Sequence, residues 1–485
     1  MKKFSLKKLS GGEQNRNALR GGGYSLAITA IVLAILVALN IFVSALPTSA
    51  TKYDISSSKL YSITSNTKVV VNNLQQDVTI YWVVQSGSED DVIENLLSKY
   101  ESCSDHISVV KKNPDVYPTF TAQYTDETVP NNSLIVESGD KSRYISYDDI
   151  YVQSASMYSY SYSTSFDGEG AITSAIDYVV STEQPKMYLI EGHGEASLPD
   201  TFSEQIEKEN IETESLSLLT TETIPDDADC LMIYSPESDI SEDELNLLAD
   251  YVSDGGKLMV VAGPTQDNGI LTNLYSLLSD YGVTANEGII VESDSSCYFA
   301  WGGNAAVMPT LISSDITDSL IDANYSVIMP VSLGLTIFNS NNGAVVTELA
   351  STSDTSYSKL AGYSMTTYDK ESGDIDGPFA TAVSVETSSG GEMVWFTSSY
   401  FLEDAYNSSS SGANGDLAMN AIAELIGGSE SMSIRSKSLN YNYLTISDST
   451  ASLLKVLMIG VFPIVYLGIG ICVVIKRRRS QNEPV

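Results

Sequence analysis

Two long apolar stretches, each flanked by basic residues, constrain this chain more than any other feature. The first, Tyr24 to Leu46, carries Asn40 as its only strongly polar residue. As a helix it would rise about 34 Å, enough for a bilayer core of roughly 30 Å. It is too long for the apolar region of a cleavable signal, although Thr48-Ser49-Ala50 is a passable cleavage site. An uncleaved anchor is therefore expected. The second, Val456 to Ile475, has Lys455 at one end and Pro463 within it. Lys2, Lys3, Lys7, Lys8, Arg16 and Arg20 precede the first stretch, and Lys476-Arg477-Arg478-Arg479 follow the second. Basic flanks stay cytoplasmic. The expected topology is two-pass in the plasma membrane: basic tails 1–23 and 476–485 inside, spans 24–46 and 456–475, and residues 47–455 outside.

The region between the spans is acidic. The whole chain holds 62 Asp and Glu against 26 Lys and Arg, a net charge of −36, and ten of the basic residues sit in the tails. Such a surface repels nucleic acid and anionic lipid headgroups. Four cysteines without a C-x-x-C argue against a disulfide framework or a thiol redox centre. With only two histidines, His106 and His193, a His-rich metal centre is excluded.

Periodicity divides the outer region in two. In 47–165, a helix over 68–74 is followed by a strand over 78–84. An amphipathic helix over 90–102 shows Val92, Leu96 and Tyr100 on one face. A strand over 106–110 and a hairpin over 131–146, turning at Ser138-Gly139-Asp140, complete the segment. This β-α-β-then-hairpin order resembles a thioredoxin-like fold without redox cysteines. The Ser/Tyr-rich run 157–170 reads as an exposed loop or linker. From 166 to 430 the pattern is α/β: strands over 186–190, 230–234 and 257–263 separated by helices over 202–209 and 241–253. Ser241 and Glu244 form a capping box, and Leu245, Leu248, Ala249 and Val252 form the buried stripe. Strands alternating with helices imply a largely parallel sheet. Strands over 377–386 and 391–401 and a helix over 416–426 follow. Residues 283–376 read as a β-rich insertion, and 431–455 as a juxtamembrane linker.

The most conspicuous loop is Glu191-Gly192-His193-Gly194-Glu195, directly after a strand, where parallel sheets place ligand groups. If this segment stays extended, Glu191, His193 and Glu195 project to one side and could hold a divalent ion or perform acid–base chemistry. The competing reading is a tight glycine turn with His193 bonded locally, which leaves the loop as a ligand-binding candidate without a metal. Asp254-Gly255-Gly256-Lys257 lacks phosphate-loop spacing and reads as a helix stop. The chain contains neither a phosphate-binding loop nor a G-x-S-x-G elbow, so it is not expected to be its own ATPase, and no cofactor is indicated.

Several short motifs run in order along the chain. Tyr53-Asp54-Ile55-Ser56 and Leu60-Tyr61-Ser62-Ile63-Thr64 come first. Gly168-Glu169-Gly170-Ala171-Ile172-Thr173-Ser174-Ala175-Ile176 and Gly192-His193-Gly194-Glu195 follow. Asp254-Gly255-Gly256-Lys257-Leu258, Gly377-Pro378-Phe379, Asn414-Gly415-Asp416-Leu417 and Asn420-Ala421 complete the set. Together they resemble the GldG family of auxiliary proteins to ABC-type transporters, which includes the gliding-motility component. The resemblance implies that 166–430 is an α/β domain related to glutamine amidotransferases but lacking their nucleophile. It also implies partnership with an ABC-type ATPase and a multi-span permease on separate chains, since two spans cannot form a permease.

The expected function is thus a non-catalytic, membrane-anchored accessory subunit whose outer domain binds a glycan, peptide or envelope partner. The alternatives are a metal-assisted hydrolase of envelope carbohydrate working through Glu191–Glu195, and a stand-alone surface receptor.

Overall fold

A computed structural model describes residues 13–44, 60, 62–156, 161–266, 269–338, 343–427, 437–438 and 455–481. The Tyr53–Ser56 motif and most of 431–455 lie outside these residues. A helix, Glu13–Ser44, contains most of the first apolar stretch. Residues 438–485 form a separate unit, in which a π-helical turn, Val456–Val461, leads into the helix Phe462–Gln481. Pro463 has no N–H to donate to the preceding turn, which accounts for the irregular entry. Among the described residues no helix is long and apolar enough to cross a membrane.

The first sheet contains β1 (Val78–Val83), β2 (Ile107–Lys112), β3 (Ser133–Ser138) and β4 (Lys141–Ile145) in the order β2-β1-β3-β4. β1 and β2 are parallel and the other pairs antiparallel. Their crossover helix, Asp91–Cys103, is capped by Asp90, which accepts from the Val92 and Ile93 N–H groups. Ile93, Leu96, Leu97 and Tyr100 face the core. Val92, expected in that stripe, is only half-buried because Ile93 and Leu97 carry the turn alongside it. The Ser/Tyr-rich run departs from expectation. Tyr151–Ser156 (β5) and Ser161–Phe166 (β6) form an antiparallel hairpin. In β6 serine alternates with Tyr162, Thr164 and Phe166, a period-two pattern that here outweighs the polar composition. The next helix, Gly168–Val180, packs on β3 and β4 of this first sheet although the sequence groups it with the second segment.

The Leu60–Thr64 and Gly168–Ile176 motifs explain one another. Thr64 caps the helix Ser65–Asn72. The buried Glu169 carboxylate accepts from the Thr64 N–H at 2.6 Å and the Thr67 hydroxyl at 2.8 Å. Tyr100 donates to the Glu169 carbonyl at 3.0 Å, and Thr173 bonds both Tyr100 and Thr67. These motif residues join three helices rather than face a ligand.

The second sheet is mixed. β7 (Lys186–Glu191), β8 (Glu212–Ser217), β9 (Cys230–Tyr234), β10 (Lys257–Val261) and the strand Glu392–Phe396 run parallel in the order β8-β7-β9-β10-(392–396). Ala380–Glu386, Gly334–Ile337 and Val283–Asn286 (β11) extend it antiparallel. Val345–Ser351 also pairs antiparallel with Ala380–Glu386, and Thr310–Leu311 with Val345–Ser351, so the β-rich stretch 283–376 contributes four strands to the main sheet and is not wholly an insertion. Strand side chains alternate between two cores. Met187, Met232, Met259 and Phe396 meet the helices Asp200–Lys208 and Ala413–Leu425 through Phe202, Ile206, Leu417 and Ile422. Tyr188, Ile190, Leu231, Ile233 and Trp395 meet Glu242–Ser253 and Thr272–Ser279 through Leu248, Val252, Leu274 and Leu278. Gly255, at φ +102, ends the third of these four helices, and a Cβ on Gly256 would lie 2.5 Å from the Tyr251 ring. The Asp254–Lys257 motif is thus a helix stop held by close packing.

Candidate functional site at the carboxyl end of the parallel strands

The loop after β7 is not extended. Gly192, at φ +131, and Gly194, at φ +79, turn the chain and break the side-chain alternation that would align three ligands. Glu191 stays exposed and accepts from the Ser215 hydroxyl of β8. His193 turns inward and is only 5% exposed. Its Nδ1 lies 3.1 Å from Glu195 Oε1, and its N–H donates to Glu195 Oε2 at 2.7 Å. Its Nε2 lies 3.1 Å and 3.2 Å from the two carboxylate oxygens of Glu244. Each ring nitrogen therefore faces a carboxylate. The His193 carbonyl accepts from the Glu237 and Ser238 N–H groups, which fixes the loop beside the end of β9.

Glu244 thereby does two jobs. It closes the capping box, accepting from the Ser241 N–H and hydroxyl at 2.8 Å each, and it faces His193. Burial works against its ionised form, but the Ser241 bonds and the adjacent imidazole outweigh burial and hold its carboxyl below the ordinary glutamate value. The sequence marked Glu244 only as a capping residue, and its contact across the fold has no local signal.

On the other side of the loop lies a pocket of about 690 Å³. Glu191, Gly192, Gly194 and Glu195 line it, with Tyr234 and Glu207. The candidate loop residues are therefore divided. Four face the pocket, while His193 is committed to the interior. Burial pushes the Tyr234 hydroxyl up, and the Glu403 and Asp404 carboxylates beyond it add to the shift. The Glu403 carboxyl is itself raised by burial and by Asp404.

Among the described residues, Ser235 and Cys230 have no activating partner. Ser235, at φ +52, ends β9 in the left-handed region, but both nitrogens of His193 face carboxylates and His106 bonds Asp77 at the first sheet. Cys230 is buried within β9, and burial pushes its thiol up to about 12, so it carries no thiolate at neutral pH. Among the described residues no group of three or more His, Cys, Asp or Glu side chains is placed to hold a metal ion.

Residues 184–421 match the model of a family described as an ABC-type uncharacterized transport system. Residues 57–153 match a family described as a domain of unknown function. The first match supports an ABC-transporter auxiliary family for the α/β segment. No curated protein matches the chain. Solved structures with distant likeness include an mmIFT52 N-terminal domain, at 13% identity and TM-score 0.37, covering 50% of this chain and 97% of that one. A ThuA-like protein from Bacteroides uniformis has 12% identity and TM-score 0.27, covering 50% and 93%. A glutamine amido transferase from Methylobacillus flagellatus has 10% identity and TM-score 0.29, covering 54% and 100%. Likenesses this distant carry no functional inference.

Proposed function

We propose that this chain is a non-catalytic, membrane-anchored accessory subunit of an ABC-type transport system, of the GldG kind, whose outer domain binds an envelope ligand. The observation that carries the non-catalytic part is the state of His193. It is buried with both ring nitrogens against carboxylates, so it stabilises the loop and has no nitrogen left for a metal or a substrate proton. The transport part is supported by the family match over 184–421 and by the ordered motifs. The anchoring is supported by the two apolar stretches with basic flanks. In this reading residues 47–455 lie outside, and separate ATPase and permease chains supply the energy and the path. Purified full-length chain should then show no ATP turnover above a buffer blank and no divalent-dependent release of reducing ends from envelope glycans. Robust turnover in either assay would contradict the proposal.

A further inference from the structure

The pocket of about 690 Å³ at the carboxyl ends of β7 and β9 is lined by three acids, Glu191, Glu195 and Glu207, and by no lysine, arginine or histidine. Glu195 is turned to His193. Glu191 bonds only the neutral Ser215 hydroxyl, and Glu207 is exposed with its carboxylate in no ion pair. The two cations beside the helix Asp200–Lys208 are engaged elsewhere. Arg143 bonds Asn210 and the Glu207 carbonyl rather than its carboxylate, and Lys208 pairs with Asp167. Glu237 adds a further acid at the loop, 3.3 Å through Oε2 from where a Cβ on Gly194 would sit.

Tyr234 is an independent sign of a ligand. It ends β9, lines the same pocket and is only 5% exposed. Its hydroxyl has no hydrogen-bond partner among the described residues, yet it keeps access to open space. Buried phenols are normally bonded. An unpartnered one on a pocket wall is a donor and acceptor left for something that enters. The rest of the wall is largely aliphatic, with Leu189, Leu198, Ile206, Ile211 and Met232.

Charge and spacing select the occupant. Anions are repelled by this lining. Among the described residues the acids are too far apart to hold a metal ion. An ammonium group brings three N–H donors of its own, and an aliphatic stem covers apolar wall while its charged head meets the acids. The Tyr234 oxygen accepts an N–H, and its ring face attracts the charge.

We propose that this pocket binds an aliphatic amine, whose N–H donors are taken by the Glu191 and Glu207 carboxylates and the Tyr234 hydroxyl while its stem covers Ile206 and Met232. Free polyamines and the lysine-type side chains of peptides share this chemistry, and the test separates them. The inference deepens the envelope-ligand part of the reading above and rests on it, but not on the transporter partnership.

Full-length protein in detergent is titrated by calorimetry with spermidine, cadaverine and Nα-acetyl-lysine amide, and with 1-pentanol and hexanoate as neutral and anionic counterparts. At least one amine should bind saturably, roughly tenfold or more tighter than 1-pentanol, with hexanoate silent. Tighter binding of spermidine or cadaverine assigns a free polyamine, and tighter binding of the lysine amide assigns a peptide side chain. The double variant Glu191→Gln/Glu207→Gln should weaken the amine roughly tenfold, and Tyr234→Phe roughly threefold. Both acids are exposed and the Tyr234 hydroxyl has no bond to lose, so neither variant should melt lower than wild type. Asp126→Asn/Glu127→Gln makes the same charge change at two exposed positions outside the pocket and should bind as wild type does. No saturable binding of any amine, equal affinity for 1-pentanol, unchanged affinity in either pocket variant, or equal weakening in the Asp126/Glu127 control would overturn the assignment. If amine binding fails while an ATPase and permease still co-purify, only this inference falls. If an amine binds and no partners co-purify, only the transport reading does.

Discussion

His193 and Glu244 lie 51 positions apart and meet with ring Nε2 3.2 Å from carboxylate Oε2, both side chains buried. One contact ties the loop after β7 to the first turn of the helix Glu242–Ser253, so it fastens two crossovers at the carboxyl end of the parallel strands.

His193→Ala should destabilise the protein by about 2–4 kcal/mol, because the Glu195 and Glu244 carboxylates lose the imidazole between them and keep only the His193 backbone N–H and the Ser241 N–H and hydroxyl as donors. Urea denaturation of the wild type and variant measures this. Divalent ions should leave the melting temperature of both unchanged. A metal-dependent rise that disappears in His193→Ala would revive the hydrolase alternative.

Glu244 also predicts a pH dependence. Its folded value is depressed, so the stability it supplies is complete above the ordinary glutamate value of about 4.3. That stability is lost as pH falls from there through the folded value. Glu244→Gln should be less stable than wild type at pH 7, and the difference should shrink as pH drops below about 4. Melting temperatures from pH 3 to 7 would show it. A gap that does not narrow on acidification would contradict the linkage.

Much of this site was legible in the sequence, but not its wiring. The capping box at Ser241–Glu244 and the helix stop at Gly255 depend on neighbours within four residues, and both stand as expected. The continuous apolar strand Lys257–Val261 follows from burial on both faces. What failed was the extrapolation from local pattern to side-chain direction. Two glycines, each free to take positive φ, let Glu191 and His193 point apart. The His193–Glu244 contact joins residues from distant elements, and single-sequence periodicity carries no such information.

The Glu169 network should behave as a unit. Glu169→Ala leaves the Thr64 N–H and Thr67 hydroxyl without their buried acceptor and should cost about 2–4 kcal/mol. Thr67→Val should cost less, and the double variant should fall short of the sum by about 1 kcal/mol or more. Equilibrium unfolding of the four proteins gives this coupling, and strict additivity would contradict the network.

A cavity argument predicts one more sensitive position. A Cβ on Gly391 would sit 1.9 Å from the Val252 carbonyl oxygen, and backbone cannot yield as a side-chain tip can. Gly391→Ala should cost about 1–3 kcal/mol. Gly390→Ala meets no neighbouring atom but is strained at φ +87. It should cost about 1–2 kcal/mol through backbone conformation alone.

The central claim is that the chain works as a subunit of a transport machine. Mild detergent extraction from native membranes, affinity isolation of the full-length chain and mass spectrometry of the eluate test it most directly. An ABC-type ATPase and a multi-span permease should co-elute in constant ratio, and should persist with His193→Ala wherever that variant folds. Recovery of the chain without either partner, from membranes in which both are present, would contradict the account.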